Sequence, residues 1–532
     1  MRYSFPMKKD MRKGIEVAAS IEGFEAARAF VEDLLENTSV SREIAHATIL
    51  VFDTVFDTLL TQDIDHNTPI RISAEDRLGG MFLKISYEGK RFAPVEDSDG
   101  ESFERRLLEG YADKVSHSYR SGLNIIRISI HKSPRRFFIP CGMGFLLAIA
   151  AYAVIAAFTS PEEQQVMLGN YVFPFERLFA NAVLMVGAPV TFFSLLKNAS
   201  DAVIVSERVL NARRLHVKSI ATSAFAILLA LGLSVILWIV TSSWRGYDAS
   251  YAGLHVTWSL PETIVSMIPA NIFEPFESIS PIPLIAVALL VTYSLIAAGK
   301  DFDVLKVAID VCYGLFSRML GAVMVALPVA CFLAILDVLL GGGYKALAFT
   351  MARILFFIVS TFVLLATFAI RLKAKGVKVG WFARKLVPLL RENSAIGSAI
   401  DAAPFNIRYC VKHYGMDRTL LSRILPVLAQ TNRDGNCFLI MFIATVYIYA
   451  SGMDISPVNI AVIAVLVLFL SFGAPNQPGS ILIGTFIITN YLGSYDIISL
   501  AICLEVFLGG AQIMLNVISD IVSAAEEEGV LR

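Results

Sequence analysis

The chain has 532 residues, 56% of them hydrophobic, with a formal net charge of −1 and a mean hydropathy of +0.64. It is too apolar for an ordinary soluble protein and too near neutrality for bulk charge to draw it to nucleic acid. Its six cysteines form no CxxC or Cys/His cluster, which excludes a zinc centre or disulfide framework from the reading.

The opening MRYSFPMKKDMRKG is positively charged but has no apolar core, so it is not expected to be a signal peptide, and residues 1–134 are expected to stay cytoplasmic. AARAFVEDLLENTS and SREIAHATILVFDTVFDTLLTQDI read as two helices. TPIRISAEDR and MFLKISYEGKRF alternate and read as strands that meet near Gly79 and Gly80. A helix through FERRLLEGYADKVSH and a last strand, NIIRISIHK, complete a small α/β layer fold. This helix-helix-strand-strand-helix-strand order resembles the ATP-binding domain of histidine kinases and anti-sigma factors. In that family an Asn on the first long helix helps to hold magnesium; the comparable surface here offers Asp57 and Asp65. The family's acidic Gly-rich turn is reduced to YEGKRF, Tyr87 to Phe92, and its later Gly-rich loop has a counterpart in SYRSGLN, Ser118 to Asn124. These losses favour a degenerate regulatory or docking domain over one that binds ATP.

From about residue 137 onward the chain reads as a polytopic α-helical membrane body. Apolar spans are expected near 137–159, 171–200, 217–243, 261–297, 304–339, 344–370, 419–450 and 494–524, followed by a tail at 526–532. Basic residues alternate between the two sides. Arg135 and Arg136, then Arg208, Arg213, Arg214 and Lys218, then Lys300 and Lys306, then the run from Arg371 to Lys385 fall on one side, while SPEEQQ, SSWRGYDASYAG and LLGGGYK fall on the other. The positive-inside rule places both termini in the cytoplasm.

Two stretches, 386–414 and 456–491, are interrupted by prolines, glycines and polar residues, and neither half of either is long enough to cross. They read as hairpins that enter the bilayer and return on the same side. Irregular backbone survives at that depth only when buried in protein or lining an aqueous cavity. Each hairpin is followed by a span with a polar centre: TNRDGN after the first and QIMLNVISD after the second. Such paired repeats are how many ion-coupled transporters build a site near the midplane. Asn516 and Asp520 share a helix face, which Gln512 extends. Asp520 offers a carboxylate to a hard cation, and a glycine-loosened helix at Gly435 offers backbone carbonyls. The bland alternative is that these polar residues only knit helices together. No nucleophile–base constellation points to an enzyme.

These motifs resemble the dicarboxylate and amino acid:cation symporters, the glutamate-transporter family, over residues 136–525. VGAPVTFFSLLKNASD, IPANIFEPFE and YGLFSRMLGAVM stand in place of early landmarks. GSAIDAAP, Gly397 to Pro404, stands for the first hairpin tip; Asn432 to Asn436 for the seventh span's Asn-Met-Asp-Gly-Thr; and SFGAPNQPG, Ser471 to Gly479, for the second tip. The resemblance implies eight spans and two re-entrant hairpins, a homotrimer in the lipid bilayer of a bacterial cytoplasmic membrane, and elevator-type alternating access. It implies Na+ or H+ coupling with no organic cofactor. The cation residues it implies are Asn432, Asp434, Asn516 and Asp520, and the substrate residues are Ser398, Asp401, Arg433, Asn436, Pro478, Gln512 and Asn516. Four family positions depart. The Asp that binds a substrate ammonium falls at Gly509, the side-chain-carboxylate Arg at Gln512, the neighbouring Thr at Ile513, and the seventh-span Met at Arg433.

Arg433 has three readings. It binds an anionic substrate bidentately, or its fixed charge replaces a bound cation, or it pairs with Asp401 and only holds structure. Asp401 is either that counter-ion or a proton acceptor. The function expected is cation-coupled symport of a small organic anion, a dicarboxylate. The alternative is a transporter-derived receptor or sensor with a cytoplasmic regulatory domain.

Overall fold

The structure, a computed structural model, describes residues 14–36, 42–60, 68–77, 80–92, 115–120, 122–130, 135–208, 212–241, 260–297, 302–396, 402–450, 456–475, 479–492 and 498–528. It divides into two compact units, Met1–Pro134 and Arg135–Arg532.

Among its described residues the first unit pairs two helices, α1 (Ile21–Glu36) and α2 (Arg42–Leu60), with a five-stranded antiparallel sheet. The strands are β1 (Ile15–Ala18), β2 (Pro69–Arg77), β3 (Gly80–Glu88), β4 (Val115–Arg120) and β5 (Leu123–Ile130), in spatial order β1-β2-β3-β5-β4. Helical spacing puts Ala27, Val31, Leu34 and Leu35 of α1 and Val51, Phe52, Val55, Phe56 and Leu59 of α2 in the core. Strand alternation buries Ile70 and Ile72, Leu83 and Ile85, and Ile126 and Ile128 on the sheet face.

Two strands here depart from the expected order. β1 adds an edge, and residues 115–117, read as the end of a helix, open β4. Val115, His117 and Tyr119 alternate, and their pairing with β5 prevails over the helical pattern that precedes them. The rest of that expected helix, residues 103–114, lies outside the described residues, as does Asp65. Asp57 is exposed on α2. The described part of Ser118–Asn124 is mostly strand: β4 runs to Arg120, β5 starts at Leu123, and Gly122 before it has φ +86°. Asn124 is fully buried there and straps the segment after β3: it accepts from Phe92 N at 3.0 Å and donates to Lys90 O at 2.7 Å.

The second unit is helical. Its first elements are α3 (Arg135–Phe158), the short α4 (Pro161–Met167), a π turn (Leu168–Val172), α5 (Phe173–Arg208) and α6 (Ala212–Thr241). Residues 261–297, expected as one span, instead hold two short helices, α7 (Leu260–Val265) and α8 (Glu274–Glu277), before α9 (Pro281–Ala297). Pro269, Pro275, Pro281 and Pro283 cannot continue a helix, which explains the break. α10 (Phe302–Met324) and α11 (Leu327–Ala374) separate at Val325–Ala326, inside the expected span 304–339, while the expected gap near 340 coincides with a non-helical break in α11 at Gly343, φ +66° and ψ −160°. Pro328 in the first turn of α11 fixes that start.

α12 (Val379–Ile396) and α13 (Ala403–Tyr414) flank the first expected tip, and α16 (Pro457–Phe472) and α17 (Ser480–Tyr491) flank the second. Buried Asn393 and Asn406 zip the first pair by reciprocal amide bonds of 2.7 and 3.1 Å. The expected span 419–450 is two helices, α14 (Arg418–Thr431) and α15 (Asp434–Ala450). α18 (Ile498–Glu528) closes the chain and carries its helix through the first residues of the expected tail.

Among the described residues six helices are long and apolar enough to cross a membrane. Leu146, Phe158, Leu228, Ile239, Leu290 and Phe362 are exposed, as suits a lipid-facing surface. By contrast, α15 is buried at every residue from Asp434 to Ile448 and is the central helix of this unit. α5 and α10 are joined by a ring of four charges. Lys197 meets Asp201 at 3.2 Å and Asp310 at 2.9 Å, and Lys306 meets the same two carboxylates at 2.9 Å each. Lys306, one of the basic residues that set the expected orientation, is thus committed to a helix pair.

Candidate functional site

The site forms where α14 stops and α15 starts. Asn432 leaves the helix with φ −92° and ψ 100°, and α15 resumes at Asp434. The break is therefore at Asn432–Arg433 and not at the glycine. Gly435 lies inside α15, and its role is close approach. A Cβ there would stand 2.7 Å from Gln512 O, 2.8 Å from Leu515 Cβ and 2.9 Å from Asn516 Oδ1. The missing side chain lets α15 touch α18 backbone to backbone. Asn516 then joins the two helices. Its Oδ1 accepts from Gly435 N at 2.9 Å and its amide donates to Asn436 Oδ1 at 2.8 Å.

Helix α6 supplies a polar ladder. Ser219, Thr222 and Ser223 share one face at helical spacing. Ser219 Oγ accepts from Thr431 Oγ1 at 3.2 Å, Thr222 Oγ1 donates to Asn432 Oδ1 at 3.3 Å, and Ser223 Oγ donates to Asp434 Oδ1 at 2.9 Å. From α18, Ser519 donates to the other oxygen of Asp434 and accepts from Asn432 Nδ2 at 2.9 Å. Both Asp434 oxygens are thus held by hydroxyls, which fixes the carboxylate in place.

Asn432, Arg433, Asp434, Asn436, Gln512, Asn516 and Asp520 are all buried, at 3% exposure or less. Asp520 of α18 is among the opposing charges that act on the Arg433 guanidinium. Asp520 Oδ1 is buried with no hydrogen-bond partner among the described residues. An oxygen so placed fits a hard cation, since a buried anionic oxygen without a partner is costly. No three His, Cys, Asp or Glu side chains among the described residues come together as transition-metal ligands would.

The expected residues separate into groups. Asn432, Asp434, Asn436 and Asn516 are brought together by direct bonds or through Ser519, and Asp520 joins them electrostatically. Gln512 points to the second helix pair, where its Nε2 and Ser480 Oγ are 2.7 Å apart. Ser398, Asp401 and Pro478 lie outside the described residues, and with Asp401 so does the pairing with Arg433.

Two further residues were missed. Glu505, left unassigned in the sequence, is buried on α18 and accepts from Gly479 N at 2.8 Å and Leu482 N at 3.3 Å, so it caps the start of α17. Arg371, read as a loop cation, lies in the last turn of α11. Its guanidinium holds both Glu526 oxygens at 2.9 and 3.0 Å and reaches Asp434 Oδ2 at 4.0 Å. Lys218 adds contacts of 2.8 Å to Glu526 and to Glu527. Only the i,i+3 spacing of Asn516 and Ser519 and the Ser-Thr-Ser face of α6 advertised the hydroxyl ligands in the sequence.

A family model for the sodium:dicarboxylate symporters matches residues 137–526, nearly all of the helical unit. The chain belongs to the sodium:dicarboxylate symporter family. No curated protein matches it closely enough to be called a relative. Members of the sodium:dicarboxylate symporter family are membrane transporters and not enzymes, and they couple small anionic substrates to cations.

Proposed function

We propose that the protein is a cation-coupled symporter of a small organic anion, a dicarboxylate, driven by Na+ or H+. The observation that carries this reading is Asp520 Oδ1, a buried carboxylate oxygen without a hydrogen-bond partner beside the broken helix that holds Asn432 and Asp434. A bound monovalent cation supplies the positive charge that these acids need in a water-poor site.

The residues divide the work. Ser223 and Ser519 orient Asp434, while Thr222 and Ser519 orient Asn432. Asn516 keeps α15 and α18 in register. Gln512 and Ser480 present an amide and a hydroxyl at the start of α17, where a substrate carboxylate is received together with Asn436 and the tip residues Ser398 and Pro478, while Asp401 serves as a proton acceptor or as the counter-ion of Arg433. In this reading 386–414 and 456–491 are re-entrant hairpins between eight crossings. The unit holding them slides past a trimeric scaffold in the bacterial cytoplasmic membrane, with both termini in the cytoplasm. Residues 1–134 act as a regulatory or docking domain without ATP.

Uptake by proteoliposomes tests this. Radiolabelled four- and five-carbon dicarboxylates and acidic amino acids are offered under imposed Na+ and H+ gradients in turn. Accumulation of a dicarboxylate under one gradient and not under choline is the expected result. Absence of gradient-driven accumulation of any of them refutes it.

A further inference from the structure

We propose that the turn between α11 and α12 docks anionic phospholipid headgroups, with Lys373, Lys375, Lys378 and Arg384 receiving the phosphates and Trp381 and Val387 lying in the headgroup layer. This uses only the reading of α11 as a membrane helix and goes beyond the transport reaction.

Residues 371–391 hold seven basic residues and no acidic one. Two of these cations have partners inside the protein. Arg371 holds Glu526 at 2.9 and 3.0 Å, while Lys385 donates to His413 O and stands 4.0 Å from the centre of the Trp381 ring. Lys373, Lys375, Lys378 and Arg384 are exposed, and among the described residues none of the four meets a carboxylate within ion-pair distance. A surface of one sign attracts and concentrates anions of the other.

The depth of these cations follows from α11. Beyond the break at Gly343 the helix runs to Ala374, a length of about 46 Å at 1.5 Å per residue, against a hydrocarbon core about 30 Å thick. Its last turn therefore reaches the headgroup layer. The chain then reverses in a fixed way. Gly376, at φ +80°, donates to Lys373 O at 2.9 Å, and Val377 N donates to Leu372 O at 3.1 Å. This closed turn presents Lys373, Lys375 and Lys378 together.

Helix α12 supplies the apolar part. On its inner side Phe382 stacks on Tyr414 of α13 with ring centres 4.6 Å apart, and Tyr414 Oη donates to Phe382 O at 3.0 Å. The outer side shows Trp381, 37% exposed, then Arg384, then Val387, 68% exposed. An aromatic ring, a guanidinium and an aliphatic group in one exposed stripe without an acid suit the boundary between headgroups and acyl chains. A soluble anion would match the cations but leave Trp381 and Val387 in water. Phospholipid supplies both the phosphate and the apolar cover. A headgroup held here anchors the α12–α13 pair to the membrane surface.

Quenching of Trp381, one of four tryptophans, tests this on full-length protein in vesicles. The vesicles are phosphatidylcholine with an equal minor fraction of either brominated phosphatidylglycerol or brominated phosphatidylcholine. The signal of position 381 is that of the wild type less that of Trp381→Phe. Brominated phosphatidylglycerol is expected to quench it at least about twofold more strongly than brominated phosphatidylcholine. The preference is expected to vanish in about 1 M NaCl, where the screening length is about 3 Å. Lys373→Gln/Lys375→Gln/Lys378→Gln/Arg384→Gln is expected to bring the two lipids to parity. If that variant does not fold, Lys373→Gln/Lys375→Gln is expected to remove about half of the preference. Equal quenching by the two lipids in the wild type overturns the proposal, as does a preference that survives salt or the fourfold substitution. Loss of the preference to inorganic phosphate at constant ionic strength assigns the cations to a free anion and overturns the lipid. Absence of quenching by either lipid means that another surface covers Trp381 and overturns it too. Uptake plays no part in the readout, so failure of the symport reading leaves this result standing.

Discussion

Glu505 and Gly509 occupy one space between them. A Cβ at position 509 would stand 2.5 Å from Glu505 Oε1, so the carboxylate reaches the start of α17 only because position 509 has no side chain. Gly509→Ala is expected to destabilise the protein by about 1–3 kcal/mol, the usual cost of overpacking a filled interior. Glu505→Gln, which keeps one carbonyl acceptor, is expected to cost less than Glu505→Ala, which leaves the Gly479 and Leu482 amides without it. Thermal unfolding of the purified variants in detergent, ranked by midpoint, checks the order.

Gly435→Ala sets two effects against each other. Alanine gains about 1 kcal/mol of helix propensity over glycine. The added methyl meets Gln512 O and Leu515 Cβ inside 3 Å, and a backbone oxygen cannot swing aside. The clash prevails, with a net loss of about 1–2 kcal/mol and abolished uptake. Equal or greater thermal stability in the variant would contradict this.

Ser519 bonds both Asn432 and Asp434. Ser519→Ala removes the hydroxyl that orients both, and apparent Na+ affinity is expected to fall about 10-fold, as for other outer-shell partners of ion ligands. Ser519→Thr retains the hydroxyl and is expected to retain most of the affinity. Half-saturating Na+ concentrations for the two variants decide.

In the first unit, burial pushes the Asp53 carboxyl above its usual range, with Arg28 working against that shift. A raised folded-state value means that this group's contribution to stability is full at low pH and is lost as pH rises through the folded value. Asp53→Asn is expected to remove that loss and protect residues 1–134 at neutral pH. Limited proteolysis of the full-length protein from about pH 4 to about pH 8 measures it, with Asp53→Asn flattening the pH dependence of cleavage near α2.

The helical body and its broken centre were legible because their signals are local. Apolar runs mark the helices, and TNRDGN marks the interruption between α14 and α15. Within that motif the glycine was misread. Helix-loosening and close approach look alike in a sequence, and only Gln512 and Leu515, about 80 residues on, tell them apart at Gly435. Glu505 stayed illegible for a related reason: its partners are backbone amides, which carry no residue signature. Ser223 and Ser519 looked like ordinary helix serines until α6 and α18 met at Asp434. In the first unit, the strong helical pattern of residues 103–114 hid the six-residue β4 that follows.

The Glu505 bonds to the start of α17 have a kinetic meaning. They tie the second helix pair to α18 through one buried carboxylate. Any opening that parts α17 from α18 must first break this latch, so its strength sets a ceiling on the rate of opening. Weakening it trades thermal endurance for speed, and the two can be tuned from one side chain.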